Sequence, residues 1–79
     1  MIHDSALNII RLAAAHVASG TSADRVCIVL PTGTAWGACD EDLRAAGLAS
    51  AAIASPDNDA QRAEIIRALA TGSDLEVFY

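Results

Sequence analysis

The stretch Arg25-Val26-Cys27-Ile28-Val29-Leu30-Pro31-Thr32-Gly33 decides the fold. Between Arg25 and Leu30 it is rich in β-branched residues and almost without polar ones. A strand half exposed to water would alternate; a continuous apolar run describes a strand covered on both faces. Such strands sit at the centre of parallel sheets, and Pro31, Thr32 and Gly33 turn the chain out of this one.

The flanking segments supply the cover. Upstream, Asp4 or Ser5 can cap a helix running to Ser19, with Leu7, Ile10, Ala14 and Val17 at helical spacing and Asn8, Arg11 and Ser19 facing away. Downstream, Thr34 can cap a helix carrying Trp36, Cys39, Leu43 and Ala46 on one stripe, stopped at Gly47. A second, alanine-rich strand covers 49–55, anchored by Ile53. Asp57 or Asp59 caps a third helix to Ala70, with Ile65, Ile66 and Leu69 inward, and 75–79 form a last strand. The expected fold is α/β: one domain over residues 1–79, elements in the order α-β-α-β-α-β, and a three-stranded parallel sheet in the order 2-1-3. Right-handed crossovers then place helices on both faces. The loops leaving the first and second strands are expected to diverge around a crevice lined by residues 32–37 and 55–59.

Composition narrows the chemistry. A chain of 79 residues buries only ~60% of its unfolded surface, and although 53% of these residues are apolar, much of that fraction is alanine. The net charge is −5, with five arginines and no lysine. That balance disfavours nucleic acid and anionic membranes as partners, and the missing lysine removes Schiff-base chemistry and the phosphate-gripping lysine of nucleotide loops. Two cysteines, Cys27 and Cys39, are too few for a disulfide scaffold, and with no leader in view a cytoplasmic setting is expected. No apolar run is long enough to span a bilayer.

From Val26 to Tyr79 the chain resembles part of the first motor domain of RecQ-type helicases. The likeness rests on the apolar strand ending in Leu30-Pro31 and on Asp42-Leu43-Arg44-Ala45-Ala46-Gly47 leading to the alanine-rich strand. It continues in Gln61-Arg62-Ala63-Glu64-Ile65-Ile66-Arg67-Ala68-Leu69 and the strand 75–79. It implies an α/β scaffold without a motor: Gly33 is not followed by Gly-Lys-Ser or Gly-Lys-Thr, and no metal-binding acidic motif follows.

Six of the ten acidic residues, Asp4, Asp40, Glu41, Asp42, Asp57 and Asp59, fall where helices are expected to begin. In a parallel sheet those positions share the carboxyl edge of the strands, where such folds bind ligands. Carboxylates also stabilise helix starts by themselves, but three in succession at 40–42 exceed what capping needs. Asp40, Glu41, Asp42, Asp57 and Asp59 are therefore the candidate partner-binding residues, and a basic protein surface is the expected partner.

Other candidates are weaker. Gly33 and Gly37 flank a loop of the kind that cradles phosphate, but no basic residue lies in it and acids follow. His3 and His16 have no companions at metal-ligand spacing. Neighbouring acids oppose a low thiol pKa at Cys39, and no serine sits in a nucleophile elbow. Neither a catalytic residue, a cofactor nor a resident metal is expected. A short, acidic, lysine-free chain without catalytic motifs is similar in profile to small phage-encoded inhibitors such as anti-CRISPR proteins. That likeness implies occlusion of a basic nucleic-acid-binding surface. A motor-less helicase-derived module is the alternative, and a small-molecule or metal-responsive domain using a crevice beside Trp36 is the third reading.

Overall fold

A computed structural model describes residues 4–34 and 36–79, with the side chains of Asp4, Trp36 and Ala38 outside what it describes. The expectations placed on His3, on the Asp4 carboxylate and on the Trp36 ring fall outside the described residues. The elements are α1 (Asp4–Ala18), a 3-10 turn (Ala23–Arg25), β1 (Val26–Val29), α2 (Trp36–Ala45), β2 (Ala52–Ala54), α3 (Asp59–Gly72) and β3 (Glu76–Phe78). The sheet is parallel, in the order β2-β1-β3, with Ile28 opposite both Ile53 and Phe78. All four residues of β1 are buried, as a strand covered on both faces requires.

The two faces are unequal. One carries the main core, in which Ala6, Ile9, Ile10 and Ala13 of α1 and Cys39 and Leu43 of α2 meet Val26, Ile28 and Leu30. Alternation sends Cys27 and Val29 to the opposite face, under α3. No residue of α3 is buried; Ile65, Ile66 and Leu69 are half-buried. The buried arc of α1 differs from the expected stripe. Ile10 is in it, but Ala6, Ile9 and Ala13 replace Leu7, Ala14 and Val17, which lie on its half-covered flank. The reason is that α1 packs on β1, β3 and α2 together, so its centre of contact falls between neighbours and not along a single line.

Both helices on this face end in paired backbone bonds closed by a glycine. At the end of α2 the Leu48 N–H donates to the Leu43 carbonyl at 2.8 Å and the Gly47 N–H to the Arg44 carbonyl at 3.1 Å. Gly47 has φ 78°, the left-handed conformation that this motif demands and that a Cβ disfavours. Leu48 is thereby folded back into the core, where it is 1% exposed.

Several boundaries differ from the sequence reading. β2 is confined to Ala52–Ala54 because the Ala51 N–H turns back to the Leu48 carbonyl at 3.1 Å. The cap of α3 is Asn58, neither Asp57 nor Asp59: its side chain accepts from the Gln61 N–H at 2.8 Å, and Gln61 Oε1 accepts from the Asp57 N–H at 2.7 Å. α2 runs from Trp36, the Thr34 N–H closes a turn to the Pro31 carbonyl at 3.1 Å, and the capping expected of Thr34 falls outside the described residues. Ala35, between that turn and the helix, is not described.

Candidate functional site

The acidic run of α2 does not sit at the end of the helix. Asp40, Glu41 and Asp42 lie in the second turn, and the first turn holds no acid. The macrodipole falls off within the first turn, so helix-end electrostatics does not explain them. Nor do they share a face, because successive helical residues rotate by about 100°. Asp40 and Asp42 flank the buried pair Cys39 and Leu43 on opposite sides, and Glu41 points directly away from the core. Arg44 pairs with Asp40 at 3.3 Å, one helical turn away.

The other two candidates stand at the start of α3. Asp57 is exposed before the Asn58 cap. Asp59 occupies the first helical position, where Oδ1 accepts from Thr32 Oγ1 at 2.7 Å. This bond and a second, from the Gly33 N–H to the Pro56 carbonyl at 3.3 Å, tie together the loops leaving β1 and β2. The crevice expected between those loops is therefore closed. Gly33 allows the closure with φ 82°, as the third residue of a tight turn spanning 31–34.

The concavity at the carboxyl edge lies on the other side of β1. It is lined by Ser5, Asn8, Pro31, Thr32, Asp59, Arg62 and Tyr79, with a volume of about 460 Å³. It opens between the ends of β1 and β3, walled by α1 and the start of α3. Arg62 is the residue that sequence reasoning undervalued. Its Nε donates to the Leu30 carbonyl at 3.0 Å and a terminal nitrogen reaches the Val29 carbonyl at 3.4 Å. These are the carbonyls that the end of β1 presents, and Arg62 satisfies them from across the sheet edge. The only signal in the sequence was its position four residues after the cap, which places it over that edge.

Two further depressions are also lined by both an acid and a base. Asp40 and Arg44 line a groove of about 520 Å³ with Leu43, Leu48, Ala49, Ala51 and Ile53, beside β2. Asp42 and Arg11 line another between α1 and α2. The five candidate carboxylates are thus not one continuous edge. Asp40, Asp42 and Asp59 each share a separate depression with an arginine, and Glu41 and Asp57 project to solvent.

Burial raises the pKa of Cys27 above the ordinary thiol value of 9.0. Burial first, and then the negative charge of Asp42, does the same to Cys39. Both thiols are held in the weakly nucleophilic protonated form, as the acids around Cys39 lead one to expect. His16 has partners that its sequence context does not announce: it stands edge-on to Phe78, ring centroids 5.4 Å apart, and its Nε2 lies 3.6 Å from Glu76 Oε2. No set of three or more His, Cys, Asp or Glu side chains converges on a common point among the described residues. No helix among them is long and apolar enough to cross a membrane.

Comparison with protein-family models, curated proteins and solved structures gives no match, so both sequence likenesses rest on the residues and the profile that carry them.

Proposed function

We propose that this chain is a non-enzymatic binding module that presents carboxylates to a basic protein surface. The observation that carries the reading is the uncompensated charge of Glu41 and Asp57. Both are exposed, and neither has a cationic side-chain partner among the described residues, whereas Asp40 is paired with Arg44. Exposed, uncompensated carboxylates steer and speed encounter with a positive surface. Asp42 and Asp59 lie in depressions that Arg11 and Arg62 also line, and extend the negative field.

The partner that fits is a protein or complex whose arginines and lysines grip nucleic-acid phosphates. The module would occupy those side chains in place of phosphate, competing charge for charge. This is the mode of action that the profile of small anti-CRISPR and other anti-defence inhibitors implies.

The test is capture of partners from host lysate by the immobilised chain at low and high salt, with Glu41→Lys/Asp57→Lys as the comparison. Salt-sensitive capture that the double variant loses is expected. A complex indifferent to both salt and reversal removes these carboxylates from the explanation.

A further inference from the structure

We infer that β2 is the dimerisation edge of this protein, and that its occupant is the β2 of a second copy, paired antiparallel about a two-fold axis. The two edges of the sheet differ in protection. β3 carries Glu76, which faces His16, and Asp74 just before it. β2 has neither charge nor proline within it, and no charged residue occurs from 45 to 56. An open edge without such blocking groups is a template for another strand.

Backbone geometry says which groups are available. The Leu30 N–H donates to the Ala54 carbonyl at 2.9 Å, and in a parallel ladder alternate residues bond to the same neighbour. Ala52 and Ala54 therefore face β1, while the N–H and C=O of Ile53 point to the open edge. A two-fold axis normal to the sheet beside Ile53 brings Ile53 opposite Ile53 of the second copy. Each N–H then meets the other's carbonyl, the closely bonded pair of an antiparallel ladder, in a six-stranded sheet. Ala49 and Ala52 are small and exposed, so the backbones can approach.

Charge selects a second copy over an unrelated strand. An axis normal to the sheet keeps α2 of both copies on the same face, antiparallel and adjacent across the groove that Asp40, Arg44, Leu48 and Ile53 line. Asp40 and Arg44, one helical turn apart, then meet Arg44 and Asp40 of the other copy. The arrangement is self-complementary, as an isologous interface requires. It also places the repelling acids, Glu41 and Asp57, outside the contact. This inference is independent of the proposed partner, since it uses a different edge of the sheet.

Sedimentation equilibrium of the full chain over the micromolar to millimolar range is the test. Wild type is expected to dimerise. Arg44→Asp and Asp40→Arg alone turn two attractions into two repulsions and each raises the dissociation constant by about tenfold or more. Mixed in equal amounts, these two variants are expected to associate with each other again, a rescue that a loss of folding cannot produce. Ala52→Lys, which adds a charge to the exposed strand without touching the core, also gives a monomer with unchanged circular dichroism. The inference is overturned by a wild type that stays monomeric throughout. It is equally overturned by a dimer that survives the single reversals or Ala52→Lys, or by variants that fail to re-associate when mixed.

Discussion

Arg62 Nε donates a hydrogen bond of 3.0 Å to the carbonyl of Leu30, 32 residues earlier in the chain. A guanidinium on the first turns of α3 thereby closes the end of the central strand. Charged hydrogen bonds to carbonyls contribute about 1.5–3 kcal/mol. Arg62→Met, which keeps the aliphatic stem and removes the donors, is expected to lower unfolding free energy by about that amount in urea titration. Arg67→Met, at an exposed position of the same helix, is expected to change it by no more than about 0.5 kcal/mol.

His16 and Phe78 make an edge-to-face contact that covers β3 from α1. Such pairs contribute about 0.5–1.5 kcal/mol. His16→Ala is expected to lose this amount, while His16→Phe keeps the ring contact and forgoes only the exposed interaction with Glu76. Thermal melts of the two variants separate these contributions: a melting temperature for the phenylalanine variant near wild type assigns the effect to the rings.

The elevated thiol pKa values predict how stability responds to alkali. A group whose folded pKa is raised keeps its proton in the native state while the unfolded chain loses it, so the unfolded state binds fewer protons. The contribution of the thiols to stability is therefore constant below the ordinary thiol value of 9.0 and falls as pH rises above it. Urea midpoints measured on either side of that value check the sign. Asp42→Asn removes the charge that adds to burial at Cys39 and is expected to reduce the alkaline loss.

Gly47 holds φ 78° in the turn that returns Leu48 to the core. Nothing lies within 4 Å of a Cβ built there, so Gly47→Ala tests backbone conformation alone. The left-handed conformation costs a residue with a Cβ about 1–2 kcal/mol. Chemical denaturation is expected to show a loss in that range, and Gly47→Asn a smaller one, because asparagine tolerates this conformation better.

Much of the architecture is readable in residues whose meaning is local. The apolar run of β1 can only be a strand covered on both faces, and a central strand with a helix before and after it leaves few topologies. The site was less legible because it depends on where helices begin. Counted from Trp36, the acids 40–42 already fall in the second turn of α2, beyond the reach of the helix end. A rotation of about 100° per residue then carries the three acids onto three faces of the helix. At α3 the local signal was present: Asn58 followed three residues later by Gln61 is the pattern of a cap and its reciprocal partner. For the bonds of Arg62 to Val29 and Leu30 the spacing from the cap places the side chain over the sheet edge but does not name its partners, since the parallel crossover alone brings those segments together.

The absence of any buried residue in α3 has a kinetic consequence. That helix is held by its cap, by Arg62 and by half-buried side chains, so it can detach as a unit at less than the full cost of unfolding. Its amides should exchange with solvent deuterium well before those of α1 and β1. Each such opening uncovers the side of the sheet on which Cys27 lies and leaves the side around Cys39 packed. The two thiols are thus internal clocks for different events: alkylation of Cys27 times the lifting of α3, and alkylation of Cys39 times the breakup of the whole domain.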